Sequence, residues 1–153
     1  MTAQRPTVSL RVQRLAHSKD LPLPSYGTDG AAGMDLFAAV SDPVVIAPGD
    51  RAVIPTGLIV AIEPGFEGQV RARSGRARRE GLALVNAPGT IDDDYRGEVQ
   101  VLVINLGRDP ITIARGDRFA QLVICPVFRA LITEVDAIED TSRGAGGFGS
   151  TGR

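Results

Sequence analysis

The strongest candidate for acid–base chemistry is a run of three aspartates, Asp92 to Asp94, followed directly by Tyr95. The run lies between Gly89 and Gly97, which indicates a hairpin turn. A calcium loop needs acidic residues at alternate positions and a glycine, and this run does not provide them. Asp92 is therefore a candidate for deprotonating a water, with Tyr95 as the wall of a sugar pocket. The alternative is a solvated acidic turn.

A second cluster, Arg71–Arg79, holds five arginines within nine residues. If a strand ends at Arg73, then Arg71 and Arg73 lie on one face, and Ser74 and Gly75 follow directly. An arginine, a hydroxyl and a bare glycine backbone suit a triphosphate. The alternative is a basic face or a nucleic-acid patch, although such patches usually interleave aromatic side chains, which this segment does not have.

The last stretch is rich in glycine, with five glycines among the ten residues from Arg143 to Gly152. Gly144–Gly149 matches the dinucleotide pattern GxGxxG, but the chain ends four residues later, where a helix would be required. Glycines still allow phosphates to approach the backbone closely. Phe148 could stack on a base, and the alternative is a frayed terminus.

Short strands are the elements that must position these residues, because runs of strand length recur at intervals of about ten residues. The predicted strands are Val8–Leu15, Gly57–Ile62, Phe66–Arg73, Leu82–Asn86, Gly97–Asn105, Ile111–Ala114, Phe119–Ile124 and Leu131–Val135. A helix of one or two turns is predicted only near Arg76–Glu80. Asp35 follows a string of small residues ahead of a further strand, and it could equally be an acceptor for backbone N–H groups. The pattern is typical of an all-β sandwich or barrel.

Length and composition exclude several classes of protein. With 153 residues and no linker or repeat, the chain suits one domain. Cys125 and His17 are the only residues of their types, so an intramolecular disulfide and a multi-Cys or multi-His metal site are excluded. No apolar run approaches the roughly 20 residues that span a bilayer. Without an apolar signal segment near the N-terminus, a cytoplasmic location is expected.

Five motifs, taken in order, resemble those of the trimeric dUTP diphosphatase (dUTPase) family. They are AAGMDLFA (Ala31–Ala38), RARSGRA (Arg71–Ala77), NAPGTIDDDYRGE (Asn86–Glu98), RGDRFAQLVI (Arg115–Ile124) and RGAGGFGSTG (Arg143–Gly152). The resemblance covers Gly27 to the C-terminus. Ala72 stands where the family often has proline, Arg76 stands where it often has an apolar residue, and Arg78 and Arg79 add charge beyond its pattern.

The resemblance implies a jelly-roll-like β-sandwich or distorted barrel. Residues 1–141 would form this single domain, and residues 142–153 a flexible tail that closes over a neighbouring active site. It also implies a homotrimer with shared active sites and Mg²⁺-dependent hydrolysis of dUTP to dUMP and pyrophosphate. Such an enzyme keeps uracil out of DNA and supplies dUMP for dTMP synthesis.

Specific roles for the base and the sugar follow from the resemblance. Asp92 would be the general base that activates the water attacking the α-phosphate. Tyr95 would pack against deoxyribose and disfavour a 2′-hydroxyl, while Asn86 would help to read uracil. The backbone that reads the rest of the base edge would lie near Thr90, Ile91 and Gln100.

The resemblance also implies the contacts to phosphate and metal. Those in the body of the chain would be Arg73, Ser74, Gly75 and Gln121. In the tail, Arg143 would clamp the γ-phosphate, Phe148 would stack over uracil, and a hydroxyl would donate to phosphate. The remaining tail residues in the substrate-binding set are Gly147, Gly149, Ser150 and Thr151. Asp35 would hold waters of the Mg²⁺ shell, and the three phosphates would be the main ligands of the metal.

Two other functions compete with this interpretation. A dCTP deaminase on a similar fold would carry a glutamate where this chain has Asp92, and would lack the tail with Phe148. A non-enzymatic module that binds nucleic acid through Arg71–Arg79 would lose affinity steeply with salt and would not need Asp92. The presence of both Asp92 and Phe148 favours dUTP hydrolysis, and neither nucleic acid nor a membrane is an expected partner.

Overall fold

The computed structural model describes residues 6–148 and is built mainly of strands. The strands are β1 (Leu10–Arg14), β2 (Met34–Phe37), β3 (Val44–Ile46), β4 (Arg51–Ile62), β5 (Phe66–Ala72), β6 (Leu82–Leu84), β7 (Gly89–Ile91), β8 (Glu98–Asn105), β9 (Ile111–Ile113) and β10 (Arg118–Pro126). Within these residues a short 3-10 helix covers Ala16–Ser18, and one α-helix, α1, covers Ser74–Glu80. The all-β class predicted from the spacing of turns is confirmed.

The strands form two four-stranded sheets and a two-stranded ribbon, all antiparallel. The first sheet has the order β1-β4-β8-β6, the second has the order β2-β10-β5-β7, and β3 pairs with β9. Alternate residues of each strand point inward, as Val99, Val101 and Val103 of β8 do, and the two inner faces form one apolar core. This arrangement leaves β6 and β7 at the edges of their sheets.

Most predicted strands are present, but the last one is wrong. No residue after Pro126 lies in a strand within the described chain, although Leu131–Val135 has a strand-like composition. A strand needs a partner for its backbone groups, and Leu131 and Ile132 are 95% and 90% exposed instead. The three-residue strands β3 and β7 are too short to produce an alternating pattern that the sequence could reveal.

The helix α1 follows β5 directly, with Arg73 in an extended conformation as its N-cap. It ends at Gly81, whose positive φ of 78° brings the chain against the backbone of Gly107. The Arg76 side chain donates to Glu80 at 2.6 Å and to Asp117 at 3.3 Å. Arg76 therefore fastens the helix to the neighbouring turn, which explains why an arginine is tolerated at this position.

The segment between β1 and β2 is fastened by Arg115. Its guanidinium donates to the carbonyl of His17 at 2.6 Å, to the Asp20 carboxylate at 2.7 Å and to the carbonyl of Val40 at 3.1 Å. The hydrogen bond from Arg115 holds the pKa of Asp20 below its ordinary value. These contacts keep His17 beside the first sheet.

Candidate active site

A cavity of about 320 Å³ lies where the two edge strands β6 and β7 meet. The chain leaves the first sheet at the end of β6, turns at Val85–Pro88 and enters the second sheet as β7, so this turn bridges the two sheets. The cavity is lined by six residues predicted to act on the base, the sugar or the water: Asn86, Thr90, Ile91, Asp92, Tyr95 and Gln100. The structure therefore brings this whole group together.

Asp92 stands at the mouth of this cavity, immediately after β7 ends at Ile91. Its side chain is exposed, and within residues 6–148 no hydrogen bond or ion pair engages the carboxylate. The Asp92 carbonyl accepts the N–H of Tyr95 at 3.2 Å, which closes the turn. A carboxylate held by its backbone and free at its oxygens is suited to accept a proton from water.

Tyr95 folds back along the same hairpin. Its hydroxyl donates to the carbonyl of Glu98 at 3.0 Å, so the ring lies over Gly97. A Cβ built on Gly97 would overlap the Tyr95 hydroxyl, and therefore the ring can occupy this position only because residue 97 is glycine. The ring is 43% exposed and presents a flat face beside the cavity.

The edge of β7 supplies backbone groups. This strand pairs with β5 through Gly89, Thr90 and Ile91, and no other strand within residues 6–148 pairs with its second side. The N–H and C=O groups of an edge strand are available to a ligand. The Asn86 amide lies close to the start of this strand, with its Nδ2 3.4 Å from a Cβ built on Gly89.

A second cluster lies around Asp35 on the outer face of the second sheet, β2-β10-β5-β7. Asp35 of β2 is paired in register with Gln121 of β10, so both side chains lie on the same face. Arg73 contacts one Asp35 oxygen at 2.9 Å, and Arg118 contacts the other at 3.2 Å. The Gln121 amide donates to the carbonyl of Ala72 at 2.9 Å. Three residues predicted to contact phosphate or metal waters, Asp35, Arg73 and Gln121, are thus neighbours.

Sequence reasoning missed Arg118 as a member of this cluster. In a regular strand, residues three apart, such as Arg118 and Gln121, point to opposite faces. The register of β10 against β2 shifts between Arg118 and Ala120, however, and this irregularity turns Arg118 to the side of Asp35. Arg118 lies three residues before Gln121 in the fourth motif, and this spacing was the signal available in the sequence. The irregularity of β10 cannot be seen there.

The two clusters lie far apart within one chain. Asp92 follows Ile91, which is paired with Gly68, so Asp92 lies close to Glu67 at the start of β5. Arg73 follows the other end of the same strand, six residues from Glu67, which corresponds to roughly 20 Å along a strand. Ser74 and Gly75 continue beyond Arg73. Asp92 and Arg73 of one chain are therefore too far apart to contact the same phosphate.

The described part of the tail contacts neither cluster. Arg143 donates to the carbonyl of Gly146 at 2.8 Å, Gly147 follows without regular structure, and the Phe148 side chain is fully exposed with φ of 48°. Three further residues predicted to bind substrate, Gly149, Ser150 and Thr151, lie outside the described residues.

Within 6–148 there is no group of three or more His, Cys, Asp or Glu side chains that could hold a metal ion by itself. The same residues include no helix with the length and apolar character needed to cross a membrane.

Comparison with known proteins identifies the family. The model of the dUTPase family matches residues 19–152, which is most of the chain. The chain belongs to the dUTPase family. Among curated dUTPases, the deoxyuridine 5′-triphosphate nucleotidohydrolase of Methylocella silvestris is 55% identical over 147 residues, covering 95% of this chain and 92% of that protein. The protein of the same name from Wolbachia sp. subsp. Brugia malayi is 51% identical and covers 98% of this chain and 97% of its own length.

Solved dUTPase structures share the fold. The dUTPase of Staphylococcus bacteriophage 80alpha with dUpNHpp superposes with a TM-score of 0.85 at 28% identity, covering 95% of this chain and 99% of that chain. A mutant dUTPase from phage phi11 of S. aureus has a TM-score of 0.75 at 26% identity, covering 84% of this chain and 97% of its own. That second structure concerns the coordination of a structural Mg(II) ion. The jelly-roll fold expected from the resemblance is confirmed.

Proposed function

We propose that this dUTPase-family chain hydrolyses dUTP to dUMP and pyrophosphate, with Asp92 as the general base. The observation that carries the proposal is the cavity between β6 and β7. It places an unengaged carboxylate beside a strand edge and an aromatic wall. Asp92 takes a proton from a water, the water oxygen attacks the α-phosphorus, and the bond to the bridging oxygen of the β-phosphate breaks, so that pyrophosphate leaves. The names and bound analogue of the relatives support this reaction.

The strand edge accounts for selection of the base. Uracil presents an N–H between two carbonyl oxygens, and the peptide groups near Thr90 and Ile91 alternate donors with acceptors in a complementary way. Asn86 adds an amide that both donates and accepts, and Gln100 also lines the cavity. A 5-methyl group would have to enter the tight hairpin, so thymine is rejected by steric overlap.

The second cluster accounts for the phosphates. dUTP carries about four negative charges, which arginines and Mg²⁺ neutralise. In the free chain the Asp35 carboxylate pairs with both Arg73 and Arg118, so both guanidinium groups are already held on one face. A triphosphate can take over these two cations together with Gln121, Ser74 and Gly75. When Mg²⁺ is bound, the freed Asp35 carboxylate would hold waters of its shell and the phosphates would be its main ligands, in keeping with the preference of Mg²⁺ for few protein carboxylates.

The distance between the clusters requires a second copy of the chain. Because Asp92 and Arg73 of one chain are separated by roughly 20 Å of strand, the cavity of one copy must meet the arginine cluster of another. The segment after β10 supports assembly, since Phe128, Leu131, Ile132 and Ile138 are between 82% and 95% exposed. Apolar surface of this kind usually marks a protein–protein interface. A homotrimer with shared active sites meets both requirements.

The tail completes the site. The body of each subunit is residues 1–141, and residues 142–153 close over a neighbouring site. In the closed site Arg143 meets the γ-phosphate, Phe148 covers the base, Gly147 and Gly149 allow the close approach, and Ser150 or Thr151 donates to phosphate. Closure excludes water other than the nucleophile. The enzyme acts in the cytoplasm, where it removes dUTP before uracil enters DNA and supplies dUMP for dTMP synthesis.

The function is tested by measuring pyrophosphate release with Mg²⁺ from dUTP, dTTP, dCTP and UTP in parallel. Release from dUTP alone is the expected result, since it requires both the base pocket and the sugar wall. Ammonia from dCTP without pyrophosphate would instead indicate a deaminase. Absence of any reaction would contradict the proposal and direct attention to nucleic-acid binding by Arg71–Arg79.

Gly97→Ala is expected to weaken selection of the sugar without unfolding the chain. The new methyl group would overlap the Tyr95 hydroxyl, which is the far end of a side chain that can move, and Gly97 does not have a positive φ. The displaced ring would no longer pack against deoxyribose, so the ratio of kcat/KM for dUTP to that for UTP should fall about tenfold. An unchanged ratio in a folded variant would reject this role of Tyr95.

A further inference from the structure

Glu98, the first residue of β8, stands between the cavity and the longest strand of the fold. It lines the cavity, and its side chain is only 19% exposed. One carboxylate oxygen, Oε1, accepts the backbone N–H of Gly57 at 2.7 Å and contacts His17 Nε2 at 3.1 Å. The sequence reasoning assigned no role to this residue.

Gly57 belongs to an irregular part of β4. The register of β4 against β8 places Pro55 opposite Gln100 and Ile59 opposite Glu98, so three residues of β4 face a single residue of β8. Gly57 accommodates the extra length with a positive φ of 67°, and its N–H leaves the regular ladder. The carboxylate of Glu98 supplies the acceptor that this buried N–H would otherwise lack.

The main chain of the same residue fixes the sugar wall. The carbonyl of Glu98 accepts the Tyr95 hydroxyl at 3.0 Å. The side chain and the main chain of Glu98 thus join two different parts of the molecule. The carboxylate binds the irregular part of β4 at Gly57, and the carbonyl binds the hydroxyl of the Tyr95 ring beside the cavity. A shift of Glu98 relative to β4 would therefore move the Tyr95 ring.

We propose that Glu98 is a positioning residue for deoxyribose selection, because its bond to Gly57 holds the carbonyl that anchors Tyr95. This rests on the proposed function, in which Tyr95 packs against the sugar. Glu98 does not contact the reacting atoms. It acts through Tyr95, and its loss affects the discrimination between dUTP and UTP more than it affects the chemical step.

The bond to Gly57 carries this role, and the pair with His17 contributes less. The His17 side chain is 47% exposed, and contacts made by exposed side chains contribute little because water screens them. Gly57 is buried, and a buried N–H that loses its acceptor is left unsatisfied. The acceptor oxygen, rather than the negative charge, is thus the essential feature.

The test compares steady-state kinetics for dUTP and UTP in a set of variants. Glu98→Ala removes the acceptor, and the ratio of kcat/KM for dUTP to UTP should fall roughly tenfold, mainly through a higher KM for dUTP. Glu98→Gln keeps an acceptor oxygen without the charge and should recover most of the lost discrimination. His17→Ala should change the ratio less than about twofold.

Control variants separate positioning from the mere loss of a carboxylate that accepts a backbone N–H. Glu63→Ala removes a carboxylate that likewise accepts a backbone N–H, that of Ser9 at 3.0 Å, away from the cavity, and it should leave the ratio unchanged. Gly97→Ala moves the Tyr95 ring directly and should resemble Glu98→Ala. If Glu98→Ala does not fold, Glu98→Asp, which draws the carboxylate back by one methylene, is compared with Glu98→Gln, and the shorter acid should show the larger loss.

Several outcomes would overturn the proposal. A folded Glu98→Ala variant with the wild-type ratio would do so, as would an equal loss in Glu63→Ala or in His17→Ala. Failure of the wild-type chain to release pyrophosphate from dUTP would be a failure of the proposed function itself. An active wild type with an unaffected Glu98→Ala variant would reject the positioning role alone.

Discussion

Asp92→Asn is expected to abolish turnover of dUTP while leaving its binding intact. The amide has nearly the shape of the carboxylate, so the cavity and the hairpin keep their form, but an amide does not take the proton of the attacking water. A positioned general base typically contributes about 10²–10⁴-fold to the rate, and the loss in kcat should reach at least the lower limit. Pyrophosphate release measures turnover, and calorimetry with dUpNHpp measures binding independently.

Asp94→Asn is the matched control for this variant. It removes the same charge two residues away in the same exposed turn and should retain near-wild-type turnover. A comparable loss in both variants would mean that the turn needs its negative charge and that Asp92 has no special place in it. Wild-type turnover in Asp92→Asn would remove Asp92 from the role of base.

Co-expression of Asp92→Asn with a second inactive variant tests whether the active site is shared between chains. Arg73→Gln should also be inactive, because it removes a cation from the phosphate cluster. If Asp92 of one copy acts on a phosphate held by Arg73 of another, mixed assemblies of the two inactive variants contain some sites with both groups intact. Partial recovery of activity is therefore expected. Complete absence of recovery in verified mixed assemblies would place both residues in the site of a single chain.

Truncation after Ser142 is expected to lower turnover about 10²-fold while leaving the proposed trimer intact. The shortened chain loses Arg143 and Phe148, which close the site over phosphate and base in the proposed mechanism. It keeps the exposed apolar segment after β10, which is the part proposed to hold the subunits together. Steady-state kinetics measure the first effect, and light scattering after size-exclusion chromatography measures the second.

Phe148→Ala separates stacking from the other contacts of the tail. A base stacked on an aromatic ring gains about 1–3 kcal/mol, so this variant should show part of the loss seen on truncation. Unchanged kinetics would reject the stacking role of Phe148. Dissociation of the truncated protein into single chains would show instead that the tail is structural.

The cavity residues could be predicted because they are close together in the chain. Residues 86–100 form a turn, a short strand, a hairpin and the start of β8, so local connections alone place Asn86, Asp92, Tyr95 and Gln100 around one space. Their residue types indicated the chemistry, and their order among five motifs indicated the family. The main strands could be predicted for the same reason, since alternation along a strand is a local property.

The remaining features depend on how distant segments meet. Arg118 joins Asp35 because β10 shifts its register against β2, and Glu98 meets Gly57 because β4 has extra residues opposite β8. Leu131–Val135 has the composition of a strand but no partner strand within residues 6–148. No local pattern contains this information, because register and pairing depend on the contacts of strands that are distant in the sequence.

The sequence by itself determined the all-β class, the family and which residue types line the cavity, since these depend on residue types and their order. Only the tertiary structure decided that Asp92 and Arg73 lie at opposite ends of β5, roughly 20 Å apart. The physical reason is that β7 runs antiparallel to β5. The register of this pairing, and not distance along the chain, therefore decides which end of β5 lies beside Asp92.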